Sequence, residues 1–282
     1  MIKNIDMNEK VCIITGANSG IGKAVALGLA KLGATIVMIC RNKQRGEDAQ
    51  REIINASGNQ NVDLLLCDLS SQEQIHELAA EFKKKYKCLH VLINNAGIVL
   101  YKRTISVDGI EMNFAVNYLA PFLLTNLLIE LLKKNAPSRI INVSSSIHTW
   151  FSLDIDDIQA QNKKYLVYKN YSNSKLALLL FTYELSNFLD GTGVTVNAVH
   201  PGFIRTGLGR DLPFFVKAIM KIFFKSPEKG AKTIIYLASS QDVAEITGKY
   251  YVKGHPKKSS EESYNKEKAT QLWNLSLQMT NL

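Results

Sequence analysis

The sequence predicts an α/β protein with a single domain, built on a doubly wound parallel sheet. Short apolar runs of strand length alternate with longer segments whose apolar residues have helical spacing. A glycine-rich turn separates the first strand from the first helix, and no repeat or flexible linker divides the 282 residues. Strands that alternate with helices form parallel βαβ units, and helices then cover both faces of the sheet.

The predicted elements follow one another in regular order along residues 1–282. The strands are short and apolar: Val11 to Thr15, Thr35 to Cys40, Asp63 to Cys67, Val91 to Asn94, Arg139 to Ser144, Thr195 to Val199 and Tyr250 to Val252. The helices lie near 21–32, 43–56, 71–86, 109–134, 171–190 and 228–239. Ligands of such folds bind beyond the carboxyl ends of the strands, so the functional residues are expected there.

Composition limits the possible classes of protein. Hydrophobic residues make up 46% of the chain, enough for a buried core. The polar residues 1–10 predict no secretory signal, and the longest apolar-rich stretch, Phe122 to Leu132, is shorter than the roughly 18 residues of a membrane span. The four cysteines lack metal-ligand spacing, which predicts small buried side chains, a cytoplasmic protein and no metal site: Cys12, Cys40, Cys67 and Cys88.

The formal net charge of +9 bears on the partners. Lysine clusters contribute much of it and are scattered along the chain: Lys83 to Lys85, Lys133 and Lys134, Lys163 and Lys164, and Lys257 and Lys258. A solvated surface is the first interpretation, and attraction of an anionic cofactor or peripheral contact with an anionic membrane are the alternatives. Nucleic acid is not expected as a partner, because no basic stretch is interleaved with exposed aromatic residues. A homo-oligomer remains an open alternative.

The turn after the first strand predicts a dinucleotide site. Its glycines have the spacing G-x-x-x-G-x-G, between a strand and a helix, with a second strand about 20 residues further on. Glycine lets the backbone approach a pyrophosphate, and the helix N-terminus adds free N–H groups and a favourable dipole. The predicted cofactor contacts in this turn are Gly16, Asn18, Ser19, Gly20, Ile21 and Gly22.

The end of the second strand bears on the choice of dinucleotide. An acidic residue there would bind the ribose 2′-hydroxyl of NAD(H), but this chain has Cys40 followed by Arg41. Arginine suits a 2′-phosphate, which favours NADP(H) over NAD(H), while an exposed cation without this role is the alternative. Lys23 and Arg45 are weaker candidates for additional positive charge.

Two further strand ends complete the predicted cofactor site. Asp68 and Leu69 follow the third strand, and Asp68 either contacts adenine or caps the helix that begins near Ser70. Small residues follow the fourth strand and would leave room for the sugar of the cofactor: Asn95, Ala96 and Gly97.

Tyr171 and Lys175 are the clearest candidates for chemistry. They are four residues apart, so on a helix they share one face. A phenol normally titrates near pH 10, and a neighbouring ammonium lowers that pKa, so the tyrosine can exchange a proton near neutral pH. Tyr168 lacks this arrangement, because residue 172 is serine.

Other polar residues are predicted to reach the same crevice. Three serines, Ser144 to Ser146, end the fifth strand, and Asn117 interrupts an apolar helix, where a buried amide requires hydrogen bonds. His148 either reaches the crevice or is an ordinary loop histidine.

These motifs occur in an order typical of one family. T-G-x-x-x-G-x-G, N-N-A-G, V-N-Y-L, N-V-S-S, Y-x-x-x-K and H-P-G follow one another from about Lys10 onward, and the chain resembles a short-chain dehydrogenase/reductase. It is most similar to the retinol dehydrogenase-like branch, in the segments Thr15 to Lys23, Cys40 to Asn42, His200 to Thr206 and Gly248 to Tyr251, with weaker support from Leu272 to Asn274. Animal members often have an N-terminal membrane anchor, and none is expected here. The resemblance implies a Rossmann fold and an oxidoreductase.

The resemblance also implies roles for individual residues. Tyr171 would donate the proton in reduction and accept it in oxidation, while Lys175 would lower its pKa and hold the nicotinamide ribose. Ser145 would hydrogen-bond the substrate oxygen, with its two serine neighbours as alternatives, and Asn117 would hold a water that links Lys175 to solvent. Further cofactor contacts are implied after the sixth strand, at Pro201, Gly202 and Thr206.

Two segments are predicted to determine the substrate. Segment 146–170 contains apolar side chains: Trp150, Phe151, Leu153 and Ile155. Segment 212–225 places Lys217, Lys221 and Lys225 on one helical face, and it is either a helix packed on the core or part of a lid near 207–226 that could rest on a membrane. An apolar alcohol or carbonyl of the retinoid, fatty aldehyde or steroid kind is therefore expected. The leading hypothesis is an NADP(H)-dependent oxidoreductase, and the alternative is a non-catalytic dinucleotide-sensing or scaffold protein.

Overall fold

The computed structural model describes residues 6–204 and 226–282. In these ranges one sheet has eight strands in the order β3-β2-β1-β4-β5-β6-β7-β8. The strands are β1 Val11–Thr15, β2 Thr35–Cys40, β3 Val62–Leu66, β4 Val91–Asn94, β5 Ser138–Val143, β6 Val194–His200, β7 Lys249–Val252 and β8 His255–Lys257. All neighbouring strands are parallel except β8, which is antiparallel to β7.

Helices cover both faces of this sheet. They are α1 Gly20–Ala30, α2 Lys43–Ser57, α3 Gln72–Lys85, α4 Met112–Lys134, α5 Val167–Phe188, α6 Pro227–Ser239 and α7 Lys266–Thr280. Ile13 of β1 belongs to the core cluster formed with α3, α4, α5 and α7, whereas its neighbours Cys12 and Ile14 belong to the cluster formed with α1, α2 and α6. This alternation follows from the two-residue period of a strand and explains why both faces of the strands are apolar.

The position of β1 decides where a ligand can bind. β1 pairs with β2 on one side and with β4 on the other, so the strand order reverses at this point. A crevice forms beyond the carboxyl ends of the strands at such a switch point. The predicted doubly wound α/β fold is therefore confirmed, and its ligand crevice lies after Thr15 and Asn94.

Helix α4 forms much of the core beneath the crevice. It contains a π-helical turn at Ala115–Leu119, and the Glu111 carboxylate accepts hydrogen bonds from the backbone N–H groups of Asn113 and Phe114 at its start. Among the described residues α4 is the one helix long and apolar enough to cross a membrane, and 78% of its most apolar window is buried inside the protein. α4 therefore packs as a core helix of this fold.

The structure corrects several predicted boundaries. β3 and β5 each begin and end one residue earlier than predicted, and α5 begins at Val167 rather than at Tyr171. The predictions missed β8 and α7 completely. β8 is short and exposed, and α7 is a largely polar helix that packs through Ala269 and Leu272, so neither has a strong apolar pattern.

The cysteines have the environment that the sequence predicts. Cys12, Cys40 and Cys67 are buried free thiols, and Cys88 is half-buried. Burial raises the pKa of Cys12 to about 12 and that of Cys40 to about 11, so these thiols are protonated at neutral pH.

Candidate active site

The glycine-rich turn adopts a conformation that depends on glycine. Gly16 has φ +68° and Gly20 has φ +56°, both in the left-handed region. A Cβ on Gly22 would lie 2.4 Å from the carbonyl oxygen of Gly16 and 2.5 Å from Nδ2 of Asn95. The turn therefore packs backbone against backbone, and the N-terminus of α1 faces the crevice as a pyrophosphate site requires.

Thr15 fastens this turn to the end of β4. Its hydroxyl accepts hydrogen bonds from the N–H groups of Asn95 at 2.9 Å and Ala96 at 3.0 Å. Asn95 Nδ2 donates in return to the carbonyl oxygen of Thr15 at 2.8 Å. The sequence-based prediction included Asn95 and Ala96 but missed Thr15, although its place directly before the first glycine indicates a role in the turn.

Cys40 supports the same turn from the neighbouring strand. The backbone N–H groups of Ala17 and Asn18 face its thiol and partly oppose the rise in its pKa that burial causes. Cys40 is therefore a packing partner of the turn, at the position where an acidic residue would bind a ribose hydroxyl. The Ile21 side chain belongs to one core cluster and the Leu69 side chain packs against the other, so the predicted cofactor contacts of these two residues would have to use their backbone groups.

Arg41 and Asp68 lie together beyond the carboxyl ends of β2 and β3. Arg41 Nη1 is 3.5 Å from Asp68 Oδ2, and the arginine side chain is 72% exposed. The other Asp68 oxygen accepts hydrogen bonds from the N–H of Ser70 at 3.0 Å and its hydroxyl at 2.8 Å. The predicted capping alternative for Asp68 is wrong, because Ser71 caps α3. An exposed ion pair of this kind adds little stability, which leaves the guanidinium available to a phosphate.

The two weaker candidates for positive charge are both on the helices that flank the turn. The Lys23 ammonium pairs with Glu52 of α2. Arg45 lies in the first turn of α2, where its backbone N–H donates to the side chain of Asn42.

Tyr171, Ser145 and Lys175 meet at the carboxyl end of β5. The Ser145 hydroxyl faces the Tyr171 phenol and opposes the rise in its pKa, and it accepts a hydrogen bond from the N–H of Ile147 at 3.4 Å. Lys175 Nζ donates to the carbonyl oxygen of Val143 at 2.9 Å and lies 5.8 Å from the centroid of the Tyr171 ring. The structure thus brings together three of the four predicted catalytic side chains.

The pKa values differ from the sequence-based expectation. Burial raises the pKa of Tyr171 to about 12, and the Ser145 hydroxyl opposes this change. Burial also lowers the pKa of Lys175 to about 8. The predicted lowering of the phenol pKa by Lys175 is therefore not observed, because desolvation disfavours the charged form of both groups.

The geometry distinguishes among the three serines. Ser144 Oγ donates to the carbonyl oxygen of Lys175 at 3.1 Å, and the backbone N–H of Ser146 donates to Nδ1 of His200 at 3.2 Å. Ser145 is the serine whose side chain faces the Tyr171 phenol.

Asn117 lies in the π-helical turn of α4 and is fully buried. Its Oδ1 accepts from the N–H of Ile98 at 2.8 Å, while Nδ2 donates to the Ile98 carbonyl at 2.9 Å and to Ser174 Oγ at 3.1 Å. Asn117 therefore ties the loop after β4 to α5. Its predicted role in holding a water near Lys175 stays a prediction.

The loop after β4 passes closely over these side chains. A Cβ on Gly97 would lie 3.3 Å from Asn117 Oδ1 and 3.4 Å from Lys175 Nζ. A glycine is favoured here because the loop backbone passes close to both polar groups. Pro201 and Gly202 follow β6 at the same edge of the sheet, whereas Thr206 and segment 207–225 lie outside the described residues.

The predicted substrate segment 146–170 divides into buried and exposed parts. Trp150 and Tyr168 are both exposed, and their ring centroids are 6.1 Å apart. Leu153 is buried in the core cluster with α5 and α7, and Ile155 packs against that cluster. Leu153 therefore packs into the core and does not line the outer surface of this segment. The Phe151 side chain is exposed, like those of Trp150 and Tyr168.

Tyr165 fixes the C-terminal part of this segment. Its hydroxyl accepts a hydrogen bond from Asn113 Nδ2 at 2.7 Å and lies 3.1 Å from the carbonyl oxygen of Leu100 and 3.3 Å from Oε1 of Glu111. The sequence-based prediction missed Tyr165, because its partners lie more than fifty positions earlier in the chain.

Known proteins are similar to this chain in sequence and in fold. The profile of the short chain dehydrogenase family matches residues 10–213. Retinol dehydrogenase 13 of Homo sapiens is 42% identical over 281 residues, covering 97% of this chain and 85% of the relative. Retinol dehydrogenase 14 of Homo sapiens is 41% identical over 298 residues, covering 98% of this chain and 88% of the relative.

Solved structures agree with these relationships. An uncharacterised protein from Mycobacterium paratuberculosis has a TM-score of 0.81 at 30% identity, covering 98% of this chain and 95% of its own. The RhlG/NADP active-site complex of Pseudomonas aeruginosa has a TM-score of 0.72 at 25% identity, covering 89% and 96%. The chain therefore belongs to the short-chain dehydrogenase family, is similar to retinol dehydrogenases along almost its whole length, and is an oxidoreductase of the alcohol dehydrogenase type.

Proposed function

We propose that this protein is an NADP(H)-dependent oxidoreductase that interconverts an apolar alcohol and its aldehyde or ketone. The observation that carries the proposal is the meeting of three side chains at the carboxyl end of β5: the Ser145 hydroxyl opposes the rise in the pKa of the Tyr171 phenol, and Lys175 Nζ lies 5.8 Å from the centroid of the Tyr171 ring. Two hydroxyl groups held together in this way can both bond to one substrate oxygen. The expected substrates are of the retinoid, fatty aldehyde or steroid kind.

The state of Tyr171 suits proton donation. With a pKa raised to about 12, the phenol is protonated at neutral pH, which is the form that donates a proton to a carbonyl oxygen during reduction. The Ser145 hydroxyl stabilises the phenolate that remains and would also orient the substrate oxygen. In oxidation the same phenol would accept the proton from the alcohol.

A nicotinamide cofactor would lie along the crevice from the glycine-rich turn to Lys175. The turn would bind the pyrophosphate, the loop from Asn95 to Gly97 would pass over the sugar, and Lys175 would hold the nicotinamide ribose. When bound, the cofactor supplies or accepts the hydride.

Arg41 supports NADP(H) as the cofactor. Its exposed guanidinium lies beyond β2, and the preceding position is a buried thiol rather than a carboxylate. A carboxylate would repel a 2′-phosphate, whereas a guanidinium binds it with charge-assisted hydrogen bonds. The related RhlG protein of Pseudomonas aeruginosa was solved as a complex with NADP, which supports the same choice of cofactor for this chain.

The surface next to Tyr171 favours an apolar substrate. Tyr168 lies one helical turn before Tyr171 on α5, and its ring neighbours that of Trp150, with both rings exposed. The retinol dehydrogenase names of the relatives support the same substrate class. The proposed location is the cytoplasm, with peripheral membrane contact through segment 212–225, which lies outside the described residues.

A panel of carbonyl substrates tests the proposal. Oxidation of NADPH would be followed with retinal, fatty aldehydes, steroid ketones and quinones, with a sugar as the polar control. We expect turnover of at least one apolar carbonyl by the wild-type enzyme and its loss in Tyr171→Phe. Preferred turnover of the sugar would contradict the proposed substrate class, and equal turnover with NADH would contradict the cofactor preference.

A further inference from the structure

His148 connects the catalytic serine to the C-terminal segment. The ring is buried, with 2% of its surface exposed, in the short 3-10 helix Ser146–Thr149. Its Nδ1 is 2.6 Å from the carbonyl oxygen of Ser145, and its Nε2 is 3.1 Å from the backbone N of Ser260. The sequence predicted either a crevice residue or an ordinary loop residue at this position. Neither alternative includes a buried ring with hydrogen bonds at both nitrogens.

These two contacts determine the tautomer. A backbone N–H can only donate, so Nε2 must accept the hydrogen bond from Ser260. The proton of the neutral ring is then on Nδ1, which donates to Ser145. Burial lowers the pKa of His148, which agrees with a neutral ring.

The bond to Ser145 bears directly on the catalytic hydroxyl. Ser145 has an extended backbone with φ −152° and ψ 152°, and its carbonyl accepts from both Nδ1 and the backbone N–H of His148. Rotation of this peptide group would break both bonds. The same residue carries the hydroxyl that faces Tyr171, and that hydroxyl accepts from the N–H of Ile147 at 3.4 Å, so the backbone that His148 fixes also holds the hydroxyl in place.

Other contacts hold the loop from different elements. Ser172 Oγ of α5 donates to the carbonyl oxygen of Ile147 at 2.7 Å, and His200 Nδ1 of β6 accepts from the N–H of Ser146 at 3.2 Å. Tyr250 of β7 packs edge-on against the His148 ring, with the centroids 5.1 Å apart. His148 adds to this support a hydrogen bond that spans 112 positions of sequence.

We propose that His148 is a positioning residue that holds the Ser145 hydroxyl at Tyr171. Because His148 accepts a hydrogen bond from the N–H of Ser260, the position of this hydroxyl also depends on Ser260. Ser260 precedes the 3-10 helix Glu261–Tyr264, and Glu262 in that helix accepts a hydrogen bond from the N–H of Leu153 at 3.0 Å. The C-terminal segment therefore supports both the catalytic serine and the substrate segment. Only the kinetic consequence of this inference rests on the proposed function.

Ser260 offers a matched pair of variants. Its backbone has φ −62° and ψ 149°, which proline adopts readily, and its hydroxyl finds no hydrogen-bond partner among the described residues. Ser260→Pro removes the N–H that His148 accepts, whereas Ser260→Ala removes only the hydroxyl. We expect Ser260→Pro to lower kcat by about tenfold, the effect of roughly one hydrogen bond, and Ser260→Ala to retain wild-type kcat. The Kd for NADPH should be unchanged in both.

Substitutions of His148 test the second bond. His148→Phe keeps an aromatic ring beside Tyr250 but has no hydrogen-bonding group, so kcat should fall at least as far as in Ser260→Pro. His148→Asn keeps a short N–H donor for the Ser145 carbonyl and should restore part of the lost kcat. His76 is exposed on α3, and His76→Asn serves as the control substitution of a histidine.

A measurement without turnover separates this inference from the proposed function. The NMR resonance of the Tyr171 Cζ carbon, assigned by its loss in Tyr171→Phe, reports the contact with the Ser145 hydroxyl. We expect Ser260→Pro and His148→Phe to move this resonance toward its position in Ser145→Ala. Wild-type resonances in both variants would overturn the positioning role, whether or not a substrate is found. A moved resonance in a protein without turnover would instead retain the positioning role and contradict the proposed function.

Discussion

Lys175 lies with its ammonium nitrogen 5.8 Å from the ring centroid of Tyr171 and donates its hydrogen bond to the carbonyl of Val143 instead of to the phenol. Both groups are desolvated, which keeps the phenol protonated and brings the lysine pKa down to about 8. The Ser145 hydroxyl is the group that stabilises the phenolate directly. We therefore expect the chemistry of the site to depend on three side chains rather than on the tyrosine and lysine alone.

Tyr171→Phe should abolish turnover while the protein still binds its cofactor. The substitution keeps the ring and removes the proton donor, and general acid catalysis contributes ~10²–10⁴-fold to such reactions. The measurements are kcat for an apolar carbonyl and the Kd for NADPH from a fluorescence titration. Tyr168→Phe, one turn earlier, is the control: it keeps the exposed apolar ring beside Trp150 and loses only a hydroxyl that has no role in proton transfer, so its kcat should stay near wild type. A kcat near wild type in Tyr171→Phe would remove this residue from the mechanism.

Arg41→Asp should change the cofactor preference. The variant loses a charge-assisted bond to the 2′-phosphate, worth roughly 1.5–3 kcal/mol, and places a second carboxylate beside Asp68. The ratio of kcat/KM for NADPH to that for NADH should fall by about tenfold or more. Arg51→Asp, further along α2, is the control and should leave this ratio unchanged. If the wild-type protein binds NADH as tightly as NADPH, Arg41 does not select the cofactor.

The strands of the sheet could be predicted from sequence because their signals are local. The apolar run from Val11 to Thr15 and the glycines that follow it specify β1, the turn and the start of α1 within twelve consecutive residues. The four catalytic candidates could be named for a similar reason, since each is part of a short motif. α7 escaped prediction because its helix is polar and gains its stability from packing on α5 and its neighbours.

The parts of the site that the sequence-based prediction missed depend on contacts between residues that are distant in the sequence. The bond from Ser260 to His148 and the bonds from Tyr165 to Glu111 and Asn113 join segments that have no shared pattern in the sequence. The pKa of Tyr171 was predicted in the wrong direction for a related reason. Sequence spacing indicates which charges are neighbours, but the extent of burial depends on the whole fold.

Gly22→Ala should weaken cofactor binding and reduce stability. Its new Cβ would lie 2.4 Å from the backbone oxygen of Gly16, which cannot move without disturbing the turn. Overpacking of this kind costs about 1–3 kcal/mol, so both the Tm and the affinity for NADPH should fall. Gly28→Ala is the matched control in α1, because its Cβ meets only the end of the flexible Ile235 side chain at 2.3 Å. An unchanged NADPH affinity in Gly22→Ala would show that the turn does not bind the cofactor.

Lys175→Met should make the stability of the protein less dependent on pH. The folded state lowers the lysine pKa from 10.5 to about 8, so the unfolded chain binds more protons between these values. Lys175 therefore destabilises the fold fully below pH 8, and this cost is lost as the pH rises toward 10.5. Because lowering a pKa by one corresponds to about 1.4 kcal/mol, the burial of this lysine costs on the order of 3 kcal/mol.

The measurement is the free energy of unfolding by denaturant for both proteins, at a pH near 7.5, below the folded pKa of the lysine, and at a pH near 10, between its folded and unfolded pKa values. Methionine also leaves the Val143 carbonyl without its lysine partner, but that loss is the same at both pH values, since a neutral amine still donates a hydrogen bond. We therefore expect wild type to gain stability relative to Lys175→Met as the pH rises. Lys134→Met, at an exposed lysine near the end of α4, controls for the loss of one positive charge. A difference between wild type and Lys175→Met that stays constant or moves in the opposite direction would show that burial does not lower the pKa of Lys175.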